Sequence, residues 1–455
     1  SGPNGLAAAV ELTRAGFRVL VVESSDSIGG GTRSAELTLP GFVHDVCSAI
    51  HPFGAASPFF QSLDPIDWIH PTVPVTHPLD GGRVGVLYHD LDATAQGLGA
   101  DGPTYRRLIG PMVERSDALV ERVLGPIRPV PGDMLALGRL AVLGAVPAIV
   151  LAKIFRTPEA RGIVAGLAAH SIASMSAPFT GAVAGTFATT VHSAGWPLVR
   201  GGSQRISELM ARAIVASGGE IETGRMVRSI DELPRGALIM LDVMPPAALE
   251  IAGAGFSTAT RRRLRSWRSG PGVFKVDWAL DAPVPWRDDH SATAGTVHVG
   301  GTFAEIAASE RQVQRGEHPR RPFVVVAQQS LFDPDRAPAG SHTLWGYCHV
   351  PSGSTVDMTD AIETQIERFA PRFRGHILAR HTMGTSAFEA YNPNYVGGNI
   401  AGGALTTGRF LGLGASRHYR LGERVYLCSS VTPPGAGVHG MCGYHAARAA
   451  VRDLG

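Results

Sequence analysis

Two glycine clusters with an acid between them are the residues of this sequence best suited to chemistry. Gly2-Pro3-Asn4-Gly5 is followed, eighteen residues after Gly5, by Glu23, and Gly29-Gly30-Gly31-Thr32-Arg33 starts six residues further on. Gly2 lets the backbone approach a pyrophosphate, and Gly5 lets a helix pack close to a sheet. The unpaired N–H groups of that helix N-terminus face the phosphates, and an acid at the end of the next strand accepts from a ribose hydroxyl. Two further residues could move protons. Lys275 lies in the apolar stretch Gly272-Val273-Phe274-Lys275-Val276, in a chain whose only other lysine is Lys153. His439 lies in the small-residue run Gly435-Ala436-Gly437-Val438-His439-Gly440-Met441.

These groups need elements to position them. Leu6, Ala9, Val10 and Leu12 give residues 6–15 a helical apolar face, Gly16 stops the helix, and Phe17 to Val22 read as a buried strand ending at Glu23. This is the back half of a dinucleotide-binding βαβ unit. The full pattern G-x-G-x-x-G places a glycine immediately before Ser1 and a central strand before that. Both are expected to precede this numbering, and a sheet without that strand would lack its middle. Further along, a turn at 195–204 leads into a helix over 205–216, capped by Gly218-Gly219, with strands expected at 220–222 and 238–243. Strands at 272–280, 323–329 and 342–349 and a helix at 360–369 follow. Another strand, 422–428, runs into the small-residue segment and a closing helix over 444–454.

At 455 residues the chain is long enough for two or more domains, and 44% hydrophobic against 18% charged residues indicates a folded globular protein. A net charge of +2 without a basic, aromatic-interleaved run excludes nucleic acid as an expected partner. Cys47, Cys348, Cys428 and Cys442 form neither a C-x-x-C pair nor a zinc spacing, so they read as thiols of a reducing compartment, and no metal site is expected. His44, His51, His290, His298, His342 and His349 lack ligand spacing. The apolar run 134–155 is interrupted by Arg139, Pro147 and Lys153. A spanning helix is disfavoured there, leaving a membrane-dipping lid or buried helices lining a pocket. The expected location is cytoplasmic, with peripheral membrane contact through 134–155 left open.

The second glycine cluster, the strand and helix flanking 429–443, and the stretch Phe155-Arg156-Thr157-Pro158-Glu159-Ala160-Arg161 together resemble the phytoene desaturase-like branch of the FAD-dependent amine oxidase superfamily. That resemblance implies an α/β fold. A Rossmann-like FAD-binding domain in three pieces (1–70, 190–250, 380–455) would carry an inserted substrate domain of antiparallel sheet plus helices (71–189, 251–379), with a helical lid near 103–189. It implies FAD contacts from Gly29, Gly30, Gly31, Thr32 and Arg33 at the pyrophosphate, Val227 at the adenine, and Gly437, Val438 and Met441 at the ring. Residues 36–52 would lead back toward the ring, making Cys47 to His51 its neighbours. Lys275 matches the lysine that holds a water near the flavin, and either faces the ring or snorkels to solvent. His439 is either a proton donor or a helix-start group satisfied by backbone. No second G-x-G-x-x-G follows a strand, so a separate NAD(P)H domain is not expected.

The function these features imply is an FAD-dependent oxidoreductase, of dehydrogenase or desaturase type, acting on an apolar, isoprenoid- or carotenoid-like substrate. Oxidation of an amine is the rival enzyme. It calls for an aromatic cage at the ring, and the position before Met441 is Gly440, not an aromatic residue. A rival outside enzymology is an escort protein on the same fold, like the Rab GDP-dissociation inhibitors. That reading calls for eroded cofactor contacts, yet Glu23, Gly29 to Gly31 and 435–443 are intact. Oligomeric state is not readable.

Overall fold

The computed structural model describes residues 1–126, 146–406 and 419–454. Helix α1 (Pro3–Arg14) forms as its apolar spacing requires, with Pro3 in the first turn where no N–H is missed. At its end Gly16 takes φ 86°, and Phe17 N–H returns to the Leu12 carbonyl, closing the helix with a left-handed cap. Ala8 and Leu12 are buried against α8 (Met441–Leu454), whose small residues Gly443, Ala446, Ala447 and Ala450 let the two helices touch, while Leu6 and Val10 pack with Ile206, Met210 and Ile214. A Cβ on Gly443 would stand 1.7 Å from the Asn4 carbonyl oxygen, so only glycine permits this crossing.

Parallel pairing in the nucleotide-binding part occurs in two separate ribbons. Strand β1 (Leu20–Val22) pairs with β8 (Glu220–Glu222), and β9 (Ile239–Leu241) pairs with β15 (Val425–Leu427). The ribbons are not hydrogen-bonded to each other, and β1 and β9 both line one cavity. Helix α5 (Gln204–Ala216) packs on α1, and its amphipathic pattern buries Ile206, Met210 and Ile214. A hairpin of β2 (Ser34–Glu36) and β3 (Val43–Asp45) follows the second glycine cluster, slightly earlier than expected. The short pair β4 (Trp68–Ile69) and β7 (Leu198–Val199) ties the region after it to α5.

The second layer is a seven-stranded sheet in the order β14 (Ile377–Met383), β10 (Gly272–Leu280), β13 (His342–Val350), β12 (Val324–Ala327), β11 (Ala294–Val299), β5 (Val73–Pro78), β6 (Val84–Leu87). It is antiparallel except for β11 against β5. Period-two alternation sorts its side chains. Phe274, Val276, Trp278, Val324, Val326 and Leu344 pack under α7 (Thr359–Phe369), while Val273, Val325, Trp345 and Tyr347 face the helical layer. That layer contains α2 (Gly102–Val113), α3 (Pro158–Ala169), α4 (Thr180–Ser193) and α6 (Phe303–Gln314). Asp101 fixes the start of α3: its carboxylate accepts from the Arg156 and Thr157 N–H groups and from Thr157 Oγ1.

Residues 134–145 of the apolar run lie outside the described residues. Within 146–155 a short α-helix (Ala148–Leu151) buries Ala148 and Leu151 and leaves Val150 exposed, and a 3-10 turn (Ala152–Ile154) follows with Ile154 exposed. Among the described residues no helix is long and apolar enough to cross a membrane.

Candidate functional site

A cavity of about 1140 Å³ runs from the first glycine turn, between β1 and β9, to an aromatic chamber under the seven-stranded sheet. Its volume exceeds the usual range for a drug-sized ligand, roughly 300–1,000 Å³. At the nucleotide end two glycine turns interlock. Gly29 N–H donates to the Ser1 carbonyl, and a Cβ on Gly30 would come within 2.9 Å of Gly2 Cα. Thr32 Oγ1 closes the second turn on the Gly29 carbonyl and meets Ser207 Oγ of α5 at 2.6 Å. Tyr391 Oη donates to the Gly30 carbonyl, and the Tyr395 hydroxyl sits over Gly31 where a side chain would otherwise project.

Glu23 ends β1 as expected. Oε1 accepts from Ser25 N–H at 2.9 Å and Arg33 Nη2 at 3.3 Å, and Oε2 from the Ser1 amino group and Oγ at 2.7 Å each. Burial opposes ionisation of this carboxyl, and the bonds from Ser25 N–H and Ser1 Oγ favour it. Arg33 turns back on the same turn, donating to the Ser27 and Ile28 carbonyls, with its guanidinium carbon 5.2 Å from the Tyr391 ring centre. The segment 224–228 is held beside Glu23 by Arg225 N–H on the Glu23 carbonyl and Gly224 N–H on the Ser25 carbonyl, which brings Val227 to the cavity wall.

Gly2, Gly5, Glu23, Gly30, Gly31, Arg33, Val227, Gly437 and Val438 therefore line one cavity, while Gly29, Thr32 and Met441 sit behind its wall. Met441 is packed in the cluster of Leu6, Ala7 and Phe59. His439 also lies behind the wall. Its Nδ1 accepts Met441 N–H at 3.0 Å, so it caps α8, and burial holds the imidazole down at about 4, neutral at pH 7. Lys275 neither lines the cavity nor reaches solvent. It is buried on the sheet face that carries Trp345, with Nζ on Asp277 Oδ2 and 6.0 Å from the Trp345 ring centre. Asp277 also faces His44 and His381, each at 3.5 Å.

Sequence reasoning missed several wall residues. Asp242, at the end of β9, accepts Gly5 N–H at 2.9 Å and so places a carboxylate at the N-terminus of α1. Burial pushes its carboxyl up toward the neutral form, opposed by the Gly5 N–H bond. Its position after a buried strand was readable; its partner, 237 residues away in sequence, was not. In the chamber, Tyr391 and Tyr395 stack at 6.4 Å with 26° between planes, and Trp345 meets Tyr347 edge-on at 5.1 Å. Gly440, where an aromatic residue would belong to the cage, packs on Phe59 and Ala7, away from the chamber. Tyr391 ends the helix Thr385–Tyr391 and Tyr395 lies in the turn after it, so no local periodicity announced the stack. Cys47 to His51 line the chamber, and all four cysteines are buried free thiols. Among the described residues no three His, Cys, Asp or Glu side chains are placed to hold a metal.

Glycine turns at a helix start, an acid at the following strand end and a large mixed sheet with an apolar chamber define an α/β fold with a Rossmann-like nucleotide-binding portion. In agreement, residues 1–64 match the NAD(P)-binding Rossmann-like domain family. The chain superposes on an oxidoreductase from Methanosarcina mazei with TM-score 0.63 at 15% identity (99% of this chain, 98% of that one). It superposes on putrescine oxidase bound to putrescine with TM-score 0.61 at 17% identity (99% and 97%). For cyclohexylamine oxidase from Brevibacterium oxydans the TM-score is 0.60 at 17% identity (100% and 97%). In sequence it is 24% identical over 300 residues to the rat pyridine nucleotide-disulfide oxidoreductase domain-containing protein 2, covering 57% of this chain and 52% of that protein. The mouse protein is 24% identical over 301 residues. The chain spans about half the length of the curated relatives it matches.

Proposed function

We propose that this protein is an FAD-dependent oxidoreductase of dehydrogenase or desaturase type acting on an apolar, isoprenoid-like molecule. One observation carries the reading: a single cavity joins the glycine turns and Glu23 to an aromatic chamber closed by the sheet, so a dinucleotide and an apolar substrate would meet end to end. The residues fit FAD. The interlocked glycines leave no side chain between backbone and phosphates, Glu23 presents its carboxyl where a ribose would lie, and Ala436, Gly437 and Val438 border the cavity just before α8. When bound, the flavin would accept a hydride from the substrate. The chain's own part is to bind, orient and exclude water. Its chamber wall supplies Phe53, Phe187, Trp196, Trp345 and Tyr347, and no carboxylate stands among them. Asp242 works against a phosphate at α1 while ionised, and burial favours its neutral form.

The resemblance to phytoene desaturase-like proteins supports the isoprenoid character, and the aromatic chamber is compatible with it. The two pairs of rings support a second reading, oxidation of an amine, as in the putrescine and cyclohexylamine oxidases that share the fold. The visible spectrum of the purified protein, with FAD added, tests both. Flavin bands retained through gel filtration, with FAD released on denaturation, support an oxidoreductase. A colourless protein that refuses FAD sinks both and favours an escort role.

A further inference from the structure

His170 and His298 form a buried pair at the chamber wall, away from the nucleotide. His170, the residue after α3, lines the cavity, with its ring against Phe187 (5.0 Å between centres) and Trp196 (5.9 Å). Its Nε2 lies 2.9 Å from Nε2 of His298, which is fully buried in β11. Burial drives both imidazoles neutral, His170 to about 3. With both rings neutral, the short contact holds one proton, and one ring must donate it. Which ring donates follows from the far nitrogens. His298 Nδ1 is buried without a partner among the described residues, and Gly166 of α3 presses against it so closely that a Cβ there would stand 2.3 Å away. A proton on Nδ1 would be an orphaned buried donor, rarer in folded proteins than an unfilled acceptor. His298 therefore carries its proton on Nε2 and donates it, His170 Nε2 accepts, and the remaining proton of His170 resides on Nδ1. That nitrogen has no protein partner among the described residues, on a side chain that lines the chamber.

We propose that His170 Nδ1–H, its tautomer fixed by His298, is a polar recognition point of the chamber and selects a neutral, otherwise apolar substrate that presents an oxygen acceptor, a carbonyl or hydroxyl oxygen. The inference rests on the oxidoreductase reading for the role of the chamber and deepens it by naming the substrate class. An ammonium group has no lone pair to offer this donor, and among the described residues no carboxylate lines the chamber end to hold its charge. Of the other polar groups nearby, Trp196 Nε1–H donates to Thr296 Oγ1 at 2.9 Å and His51 Nε2 meets Ser203 Oγ at 2.8 Å, while Trp345 Nε1–H, on the facing sheet wall, is a second donor without a partner among the described residues. His349, on the same sheet, is turned to Glu310 at 2.9 Å, behind Phe323.

The test uses a matched isoprenoid set, farnesal, farnesene and farnesylamine, titrated into the FAD-saturated chain with tryptophan fluorescence as readout. Nitrogen-15 spectra of the histidines, read on the unaltered protein, provide a second measurement. Farnesal is expected to bind about tenfold tighter than farnesene or farnesylamine, a single hydrogen bond at about 1.4 kcal/mol per factor of ten. His170→Phe should erase that preference while keeping farnesene affinity. The spectra should place the proton of His170 on Nδ1 and that of His298 on Nε2. Equal affinity for farnesal and farnesene, failure of farnesal to bind, a preference that survives His170→Phe, or the opposite tautomers would each overturn the inference. Should the variant misfold, the spectra and the wild-type preference still decide. FAD binding without oxygen preference would sink this inference alone. His170-dependent farnesal binding by a chain that takes no FAD would sink the oxidoreductase reading alone.

Discussion

Gly30→Ala should weaken both the fold and FAD binding, and Gly16→Ala separates the causes. Gly30 has φ 51°, in the left-handed region, and an added Cβ would stand 2.9 Å from Gly2 Cα. The backbone conformation alone costs a side chain roughly 1–2 kcal/mol. The contact cannot be relieved by rotating a side chain, because Gly2 is backbone and caps α1. Forcing an extra carbon into such a site typically costs about 1–3 kcal/mol, for a total of roughly 2–5 kcal/mol. Gly16 has φ 86° with nothing within 4 Å of its would-be Cβ, so it carries the first cost without the second. Urea unfolding and FAD titration by flavin fluorescence should be run on both variants. Gly16→Ala is expected to lose about 1–2 kcal/mol of stability and leave the FAD Kd unchanged. Gly30→Ala is expected to lose more and to raise Kd about tenfold or beyond, since its strain is relieved only by moving Gly2 out of position. Identical behaviour of the two variants would refute the claim that the turns interlock.

Lys275→Met should destabilise the protein by about 3–5 kcal/mol, because it leaves Asp277 buried with only two imidazoles, and Lys275→Met/Asp277→Leu should recover much of that in urea unfolding; a loss under about 1 kcal/mol for the single variant would contradict a buried pair. Burial depresses His44, His51, His77 and His439 to about 4 each, below the unfolded value. Their contribution to stability is therefore complete above pH 6.5 and lost as pH falls toward 4, so unfolding midpoints should drop steeply between pH 6.5 and 4; a flat profile there would argue against buried neutral imidazoles. His439→Ala should cost about 1 kcal/mol through the lost cap on Met441 N–H, and His439→Asn should restore it without changing the flavin spectrum. Asp242→Asn should tighten FAD binding most at high pH, where the carboxyl is ionised, with the gain shrinking as falling pH protonates the wild-type carboxyl; a gain independent of pH would show that its charge does not oppose the phosphates.

The sequence by itself determined the local elements and the nucleotide half of the site. Helix α1 with its Gly16 stop, Glu23 at the end of β1, and β10 over Gly272–Leu280 were all readable, because each depends on the period and punctuation of neighbouring residues. Lys275 was recognisable as unusual, yet whether it met a ring, solvent or an acid depended on Asp277, two residues on along the same strand face, and on the burial of both. The tertiary structure alone decided the chamber. Tyr391 reaches Gly30 across 361 residues, His170 meets His298 across 128, and Asp242 reaches Gly5 across 237. Such contacts are set by which faces of the helical layer and the seven-stranded sheet pack together, not by any local pattern. Periodicity states that a face is apolar. It does not state which distant face will cover it, nor which polar group will be left pointing into the space between them.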